Sequence, residues 1–154
     1  MKNLSAYLLT AVLGLSVLSG CKDDDDDAAP SKTSQLTAKS WRPTAVTITS
    51  AGISTNVIDF LYPAPCNKDN FIKFNTDKSA TYDEGPLRCD ASAPQTEKGS
   101  WEFTTNETKL KLTNPEGDVV EGTIVTLNST TLVLNGSVEV LGIATPGELT
   151  FTAQ

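Results

Sequence analysis

The chain of 154 residues, 38% hydrophobic and 6% aromatic, has room for one modest core and not for a two-domain enzyme. It contains no His, which removes the commonest general base near neutral pH and the commonest metal ligand, and so excludes His-based triads and zincin-type zinc sites. Acidic residues outnumber basic ones 19 to 12, for a formal net charge of -7, a balance that repels phosphate backbones and argues against a nucleic-acid partner.

Met1-Lys2-Asn3 supplies one positive charge, Leu4 to Leu18 form a short apolar stretch interrupted by Ser, Thr and Gly, and Leu18-Ser19-Gly20-Cys21 follows at once. The stretch is too short to be read as a bilayer span and has the layout of a secretory signal. Its Leu-Ser-Gly-Cys ending resembles the lipobox of bacterial lipoproteins. That resemblance implies diacylglyceryl modification of Cys21, cleavage before it, and attachment to a membrane through the acyl chains, such as palmitate, that the modification carries. The alternative is an ordinary secreted protein with an unpaired cysteine.

Lys22 and the run Asp23 to Asp27 come next. Like charges repel and bury no apolar area, so the segment reads as a solvated tether. It also resembles the acidic export signal of surface-exposed lipoproteins in the Bacteroidetes group, which implies an outer-membrane protein displayed on the cell surface. The alternative is a plain spacer that leaves the protein on the periplasmic side. Calcium capture by the run lacks the alternation and terminal Glu of an EF-hand loop. The expected organisation is a signal peptide over residues 1–20, a lipidated cysteine and polar tether over 21–35, and one domain over 36–154.

Within that domain, Trp41 to Thr49 is rich in β-branched residues and alternates unevenly, which predicts a strand ended by Ser50-Ala51-Gly52. Ile53 to Tyr62 is apolar without a clean period, as in a helical turn or irregular lid. Phe71-Ile72-Lys73-Phe74 and Ala80-Thr81-Tyr82-Asp83 flank the turn tetrad Asn75 to Lys78, and Ser100 to Thr104 faces Lys109 to Thr113 across another turn. Trp101 and Phe103 alternate with Glu102, and Leu110 and Leu112 with Lys109 and Lys111, so apolar chains point in and charges out. Further strands are expected over Asp118–Leu127, Thr130–Leu134, Ser137–Leu141 and Glu148–Thr152, with turns at Asn114 to Gly117, Asn128-Ser129 and Asn135-Gly136. Eight or nine strands at this spacing, with no long helical pattern, predict an all-β protein: a small antiparallel up-and-down β-barrel, closed so that no edge is left.

Cys66 and Cys89 lie in an exported chain, where oxidation is favoured. They are expected to form a disulfide that ties the segment before Phe71 to the loop after Tyr82. A reactive thiol or metal site would need a Cys-x-x-Cys motif or a neighbouring base, and neither is present.

Trp41, Cys66-Asn67-Lys68-Asp69-Asn70-Phe71, Asp83-Glu84-Gly85, Arg88-Cys89-Asp90 and Gly99-Ser100-Trp101-Glu102-Phe103 together resemble the lipocalin-like lipoproteins of Bacteroidetes. The later apolar segments Leu110 to Leu112, Ile124 to Leu127 and Thr131 to Leu134 continue the order. The resemblance implies a small lipocalin-like barrel with a cysteine pair. Two departures, Lys39-Ser40-Trp41 in place of Gly-x-Trp and a shorter chain, weaken any transfer of retinoid-like or haem-like binding.

Such a barrel either fills its interior or keeps room for one small ligand. The expected inward set is Trp41, Val46, Ile48, Phe71 or Ile72, Phe74, Tyr82, Trp101, Phe103, Leu110, Leu112, Ile124, Leu132, Leu134, Leu149 and Phe151. If a pocket is present, Trp41, Tyr82, Trp101, Phe103 and Phe151 are its expected walls. No catalytic residue and no cofactor is predicted. Asp83 and Glu84, the best carboxylate pair, are neighbours in a strand and point to opposite faces. Asp69, Asn70 and Asp90 are oxygen ligands for Ca²⁺ only if the disulfide brings their loops together. Two functions remain: a noncatalytic lipoprotein carrying a small apolar or amphipathic ligand in the barrel mouth, or a filled barrel acting as a structural or interaction module at the cell surface.

Overall fold

The computed structural model describes residues 29–154. The signal segment, Cys21 and the aspartate run lie outside the described residues. The chain opens with a short helix, α1 (Lys32–Ala38), whose first turn is capped by the Ser31 hydroxyl accepting from the Ser34 amide at 3.1 Å. Residues 32–35, expected to end the tether, therefore belong to the folded body. Leu36 of this helix is fully buried, so the helix is a hydrophobic plug and not a linker.

Nine strands follow: β1 (Ser40–Ser50), β2 (Ile53–Asn56), β3 (Phe71–Phe74), β4 (Ser79–Asp83), β5 (Thr96–Thr104), β6 (Lys109–Thr113), β7 (Val119–Leu127), β8 (Thr131–Val140) and β9 (Ile143–Ala153). Two single helical turns, α2 (Ile58–Leu61) and α3 (Pro65–Lys68), separate β2 from β3. From β3 to β9 each strand pairs antiparallel with the next, and β9 pairs with β1 from Trp41↔Ala153 to Ile48↔Gly147. β1 in turn meets β3, through Ser40↔Lys73 and Trp41↔Ile72. Eight strands thus close into the barrel predicted, with β2 as a flap that extends the free upper edge of β1 through Thr47↔Asn56 to Ser50↔Ile53.

Two bulges reset the alternation. Thr44 is the extra residue in β1, between the Pro43↔Phe151 and Ala45↔Thr150 pairs, so Trp41 and Val46 face inward although five positions separate them. This is the physical origin of the uneven pattern in the sequence. Val125 is the extra residue in β7, and after it Leu127 replaces Thr126 on the core side. The Asn135-Gly136 pair, expected as a turn, lies in the middle of β8, where both residues keep ladder partners, Glu148 and Gly147. The turn is instead at Leu141-Gly142, both at positive φ (54° and 77°), the backbone twist a two-residue hairpin needs. One long strand, β8, replaces the two shorter strands expected there.

The core occupies one end of the barrel. Leu36, Trp41, Phe74, Trp101, Leu110 and Leu132 are all nearly or fully buried there. The two indole N–H groups are satisfied locally, Trp41 Nε1 donating to the Leu36 carbonyl at 2.8 Å and Trp101 Nε1 to the Asn75 carbonyl at 2.9 Å. The Trp101 ring meets Phe74 and Phe103 edge to face at 5.8 and 5.3 Å. Lys32 Nζ donating to the Glu107 carbonyl and Lys73 Nζ donating to the Thr37 carbonyl fix α1 across this opening. No helix among the described residues is long and apolar enough to cross a membrane.

Candidate functional site

The opposite end of the barrel is open. Along β5 the inward register runs Phe103, Trp101, Gly99 and Glu97, so bulk falls from two aromatic rings to no side chain and then to a carboxylate. Gly99 is enforced by space: a Cβ there would sit 2.1 Å from the Thr113 carbonyl oxygen and 3.0 Å from the Tyr82 ring, which lies across it. Along β6 the same register reads Leu110, Leu112 and then Asn114 beyond the strand, and along β7 Ile124, Gly122 and Val120, with Asp118 just before the strand starts. Side chains that fill the closed end are followed by chains too small or too polar to fill the other.

The space left is a cavity of about 540 Å³. Val46, Ile72, Leu112, Leu149 and Phe151 form its apolar floor and walls, Val120 and Pro43 its sides, and Tyr82, Asn70, Asn114 and Asp118 its polar margin. Leu61, Tyr62 and Asn67 reach it from the β2-to-β3 connection, which acts as a lid. That lid is well fastened. The Asn56 carboxamide oxygen accepts from the amides of Val46 and Ile58 at 3.2 and 3.1 Å, and the Val57 amide donates to the Val46 carbonyl at 2.7 Å. Lys68 and Asp59 pair at 2.6 Å. Cys66 and Cys89 are joined in the expected disulfide, which links α3 to the loop after β4.

Of the five pocket residues predicted from sequence, two line the cavity: Tyr82 and Phe151. Trp41, Trp101 and Phe103 do not. They belong to the closed end, where Trp41 and Trp101 are buried in the core cluster and Phe103 packs against it. Inward register is shared by all five, but height along the barrel separates them, and height is set by strand stagger. Among the lining residues missed were Leu61, Tyr62 and Val120. The unperiodic apolar run Ile53 to Tyr62 was the signal for the first two.

The carboxylates beneath the lid serve structural ends. Asp83 Oδ1 accepts from the Gly85 amide and from Gln95 Nε2, both at 2.8 Å. Asp69 Oδ2 accepts from the Leu87 amide at 2.7 Å, while its Oδ1 is buried without a partner. Gly85, at φ 70°, lies so close to the Asp69 carbonyl that a Cβ would stand 2.5 Å from its oxygen. The Asn70 carboxamide nitrogen donates to the carbonyls of Glu84 and Cys66 at 2.7 and 2.8 Å. Asp90 caps its own turn, accepting from the Ser92 amide and hydroxyl at 2.8 and 2.6 Å, and the hydroxyl and amide bonds hold its carboxyl below the usual range. Asp69 and Asp90 accept from separate loop amides, those of Leu87 and Ser92, and among the described residues no three His, Cys, Asp or Glu side chains converge to hold a metal. Burial, and secondly the charge of Glu116, push the Tyr82 phenol above its ordinary pKa.

The described residues form a closed barrel with one open end and offer no catalytic constellation. A family model described as a lipocalin-like domain matches residues 37–134, well over half of the chain. The chain therefore belongs to the lipocalin-like domain family. The match stops within β8, so the outer part of the long hairpin and the closing strand β9 lie beyond it. No curated protein matches the chain in sequence.

Proposed function

We propose that this member of the lipocalin-like domain family is a noncatalytic, membrane-anchored lipoprotein that binds or carries a small apolar or amphipathic molecule in the open end of its barrel. The observation that carries the reading is the cavity of about 540 Å³ with its apolar floor and polar margin, a size and lining within the range of small-molecule sites. The sequence ending Leu18-Ser19-Gly20-Cys21 supports acyl anchoring, and the Asp23 to Asp27 run supports display on the outer face of a bacterial outer membrane. The chain enters the fold through α1 at the closed end.

The test is a small-molecule mass measurement on lipid extracts of the protein purified from its native membrane. A reproducible apolar or amphipathic species in stoichiometric amount is expected. Its repeated absence, together with failure of the cavity to take up added amphiphiles, removes the carrier reading.

A second reading, an interaction module at the cell surface, is favoured by one feature. The tips of the two hairpins at the open end carry Ile53, Leu141 and Ile143, which are 69%, 81% and 67% exposed. Leu141→Ser with Ile143→Ser is expected to leave ligand uptake intact; loss of cell-surface co-purification of a partner in this variant is the outcome that supports the module.

A further inference from the structure

The charge of the cavity's rim is one-sided, and the strand registers are the reason. Glu97 pairs with Tyr82 across β4 and β5 and shares the inward register of Gly99 and Trp101. Asp118 shares the register of Val120, and Asn114 that of Leu112. The strand lysines Lys98, Lys109 and Lys111 all take the opposite, outward parity. Beside the large cavity lies a second recess of about 240 Å³ that shares Asn70, Tyr82 and Asn114 with it. Its charged lining is Asp83, Glu84, Glu97 and Glu116, and no Lys or Arg lines either space.

None of these five carboxylates takes part in an ion pair among the described residues, where the pairs are Lys68–Asp59, Lys109–Glu121 and Lys111–Glu102. The hydrogen-bond donors to the two aspartate carboxylates among them are neutral: the Gly85 amide and Gln95 to Asp83, and Asn114 to Asp118. Tyr82 stands where the apolar cavity and the acidic recess join, and burial, followed by the charge of Glu116, raises the pKa of its phenol. A recess lined by one sign of charge against low-dielectric walls focuses its field on whatever enters.

We propose, resting on the cavity reading above, that the ligand is an amphiphile with a cationic, amine-type head: its apolar body occupies the cavity between Val46, Leu112, Leu149 and Phe151, and its ammonium lies in the acidic recess, donating to the Tyr82 hydroxyl. The same rim rejects fatty-acid anions. Tyr82 is then the residue that reads the boundary between tail and head.

The experiment uses the lipidated protein in phosphatidylcholine nanodiscs, with empty nanodiscs as the reference, and ligand-observed NMR titration of octylamine, 1-octanol and octanoate at neutral pH. Octylamine, protonated under these conditions, is expected to bind on the order of tenfold more tightly than octanoate, with octanol between them. Raising salt to about 0.5 M shrinks that ratio by screening. Glu97→Gln with Glu116→Gln, both at exposed positions that leave the core untouched, is expected to shrink it without changing octanol affinity. Val120→Trp, a half-exposed wall position, blocks the cavity and abolishes binding of all three. Equal affinities for the three probes, all lost in Val120→Trp, overturn the cationic head and leave the cavity reading standing. No binding by any probe overturns both. Octylamine binding that survives Val120→Trp is adsorption to the acidic exterior and overturns the proposal.

Discussion

The two ends of this barrel are written in the same strand code and differ in what occupies the inward positions. At the closed end Trp41, Phe74, Trp101, Leu110 and Leu132 meet over Leu36 of the plugging helix, and the indole N–H groups are satisfied by local carbonyls. At the open end the same strands offer Gly99, Val46, Val120 and Leu149, then Glu97, Asn114 and Asp118, and a cavity of about 540 Å³ remains. A small barrel needs a packed core to offset its chain entropy. Here half of the barrel supplies that core and the other half surrounds the cavity. Filling and function, which compete for side chains in so short a chain, are divided by height.

The contrast is broken most severely at the closed end. Trp101→Ala removes a ring that touches Phe74 and Phe103 and is expected to cost about 3 to 5 kcal/mol in urea denaturation. A cost under about 1 kcal/mol would show that the closed end is not the stabilising half. Next comes the fastening of the lid. Cys66→Ser with Cys89→Ser is expected to lose about 3 kcal/mol by the loop-closure account and to weaken ligand uptake, because Asn67 and Asn70 beside the bridge line the mouth. Unchanged stability and uptake would mean that the lid's hydrogen bonds suffice without it.

Two truncations of one residue type compare the ends directly. Leu132→Ala, at a fully buried site, is expected to cost about 2 to 5 kcal/mol. Leu149→Ala, on a wall already facing empty volume, is expected to cost about 1 kcal/mol, since fewer packed contacts are lost. Equal costs in thermal or urea melts would contradict the division. Ser31→Ala is expected to cost about 1 kcal/mol by uncapping the plug helix.

The smallest effect is a pH limb. The folded Tyr82 phenol has a raised pKa, so the folded state holds its proton more tightly than the unfolded chain does. That contribution is fully present below the unfolded tyrosine value, near about 10, and is lost as pH rises through the folded value. Stability of the wild type should therefore fall more steeply on the alkaline side than that of Tyr82→Phe. Parallel alkaline limbs in paired denaturation curves would remove Tyr82 as the cause.

Reading strands from the sequence succeeded where alternation and turn residues agreed. The β3–β4 and β5–β6 hairpins are examples, with Asn75 to Lys78 and Thr105 to Thr108 as their turns. It failed at Asn135-Gly136, a strong local turn signal overridden because both flanking stretches pair continuously with β9. It also failed at Leu36, whose single apolar side chain among polar neighbours gives no periodic signal until the barrel end that it plugs is known.

By itself, the sequence determined the all-β class, the closed antiparallel order, the inward faces of most strands and the cysteine pair, because these follow from side-chain periodicity, turn chemistry and compartment. Only the tertiary structure decided which inward residues meet one another. Strand stagger and the bulges at Thr44 and Val125 set heights along the barrel, and height separates Trp41, Trp101 and Phe103, which do not reach the cavity, from Tyr82 and from Phe151, a core residue that also lines it. Periodicity fixes the face of a strand; position along the axis depends on pairing with residues far away in the chain.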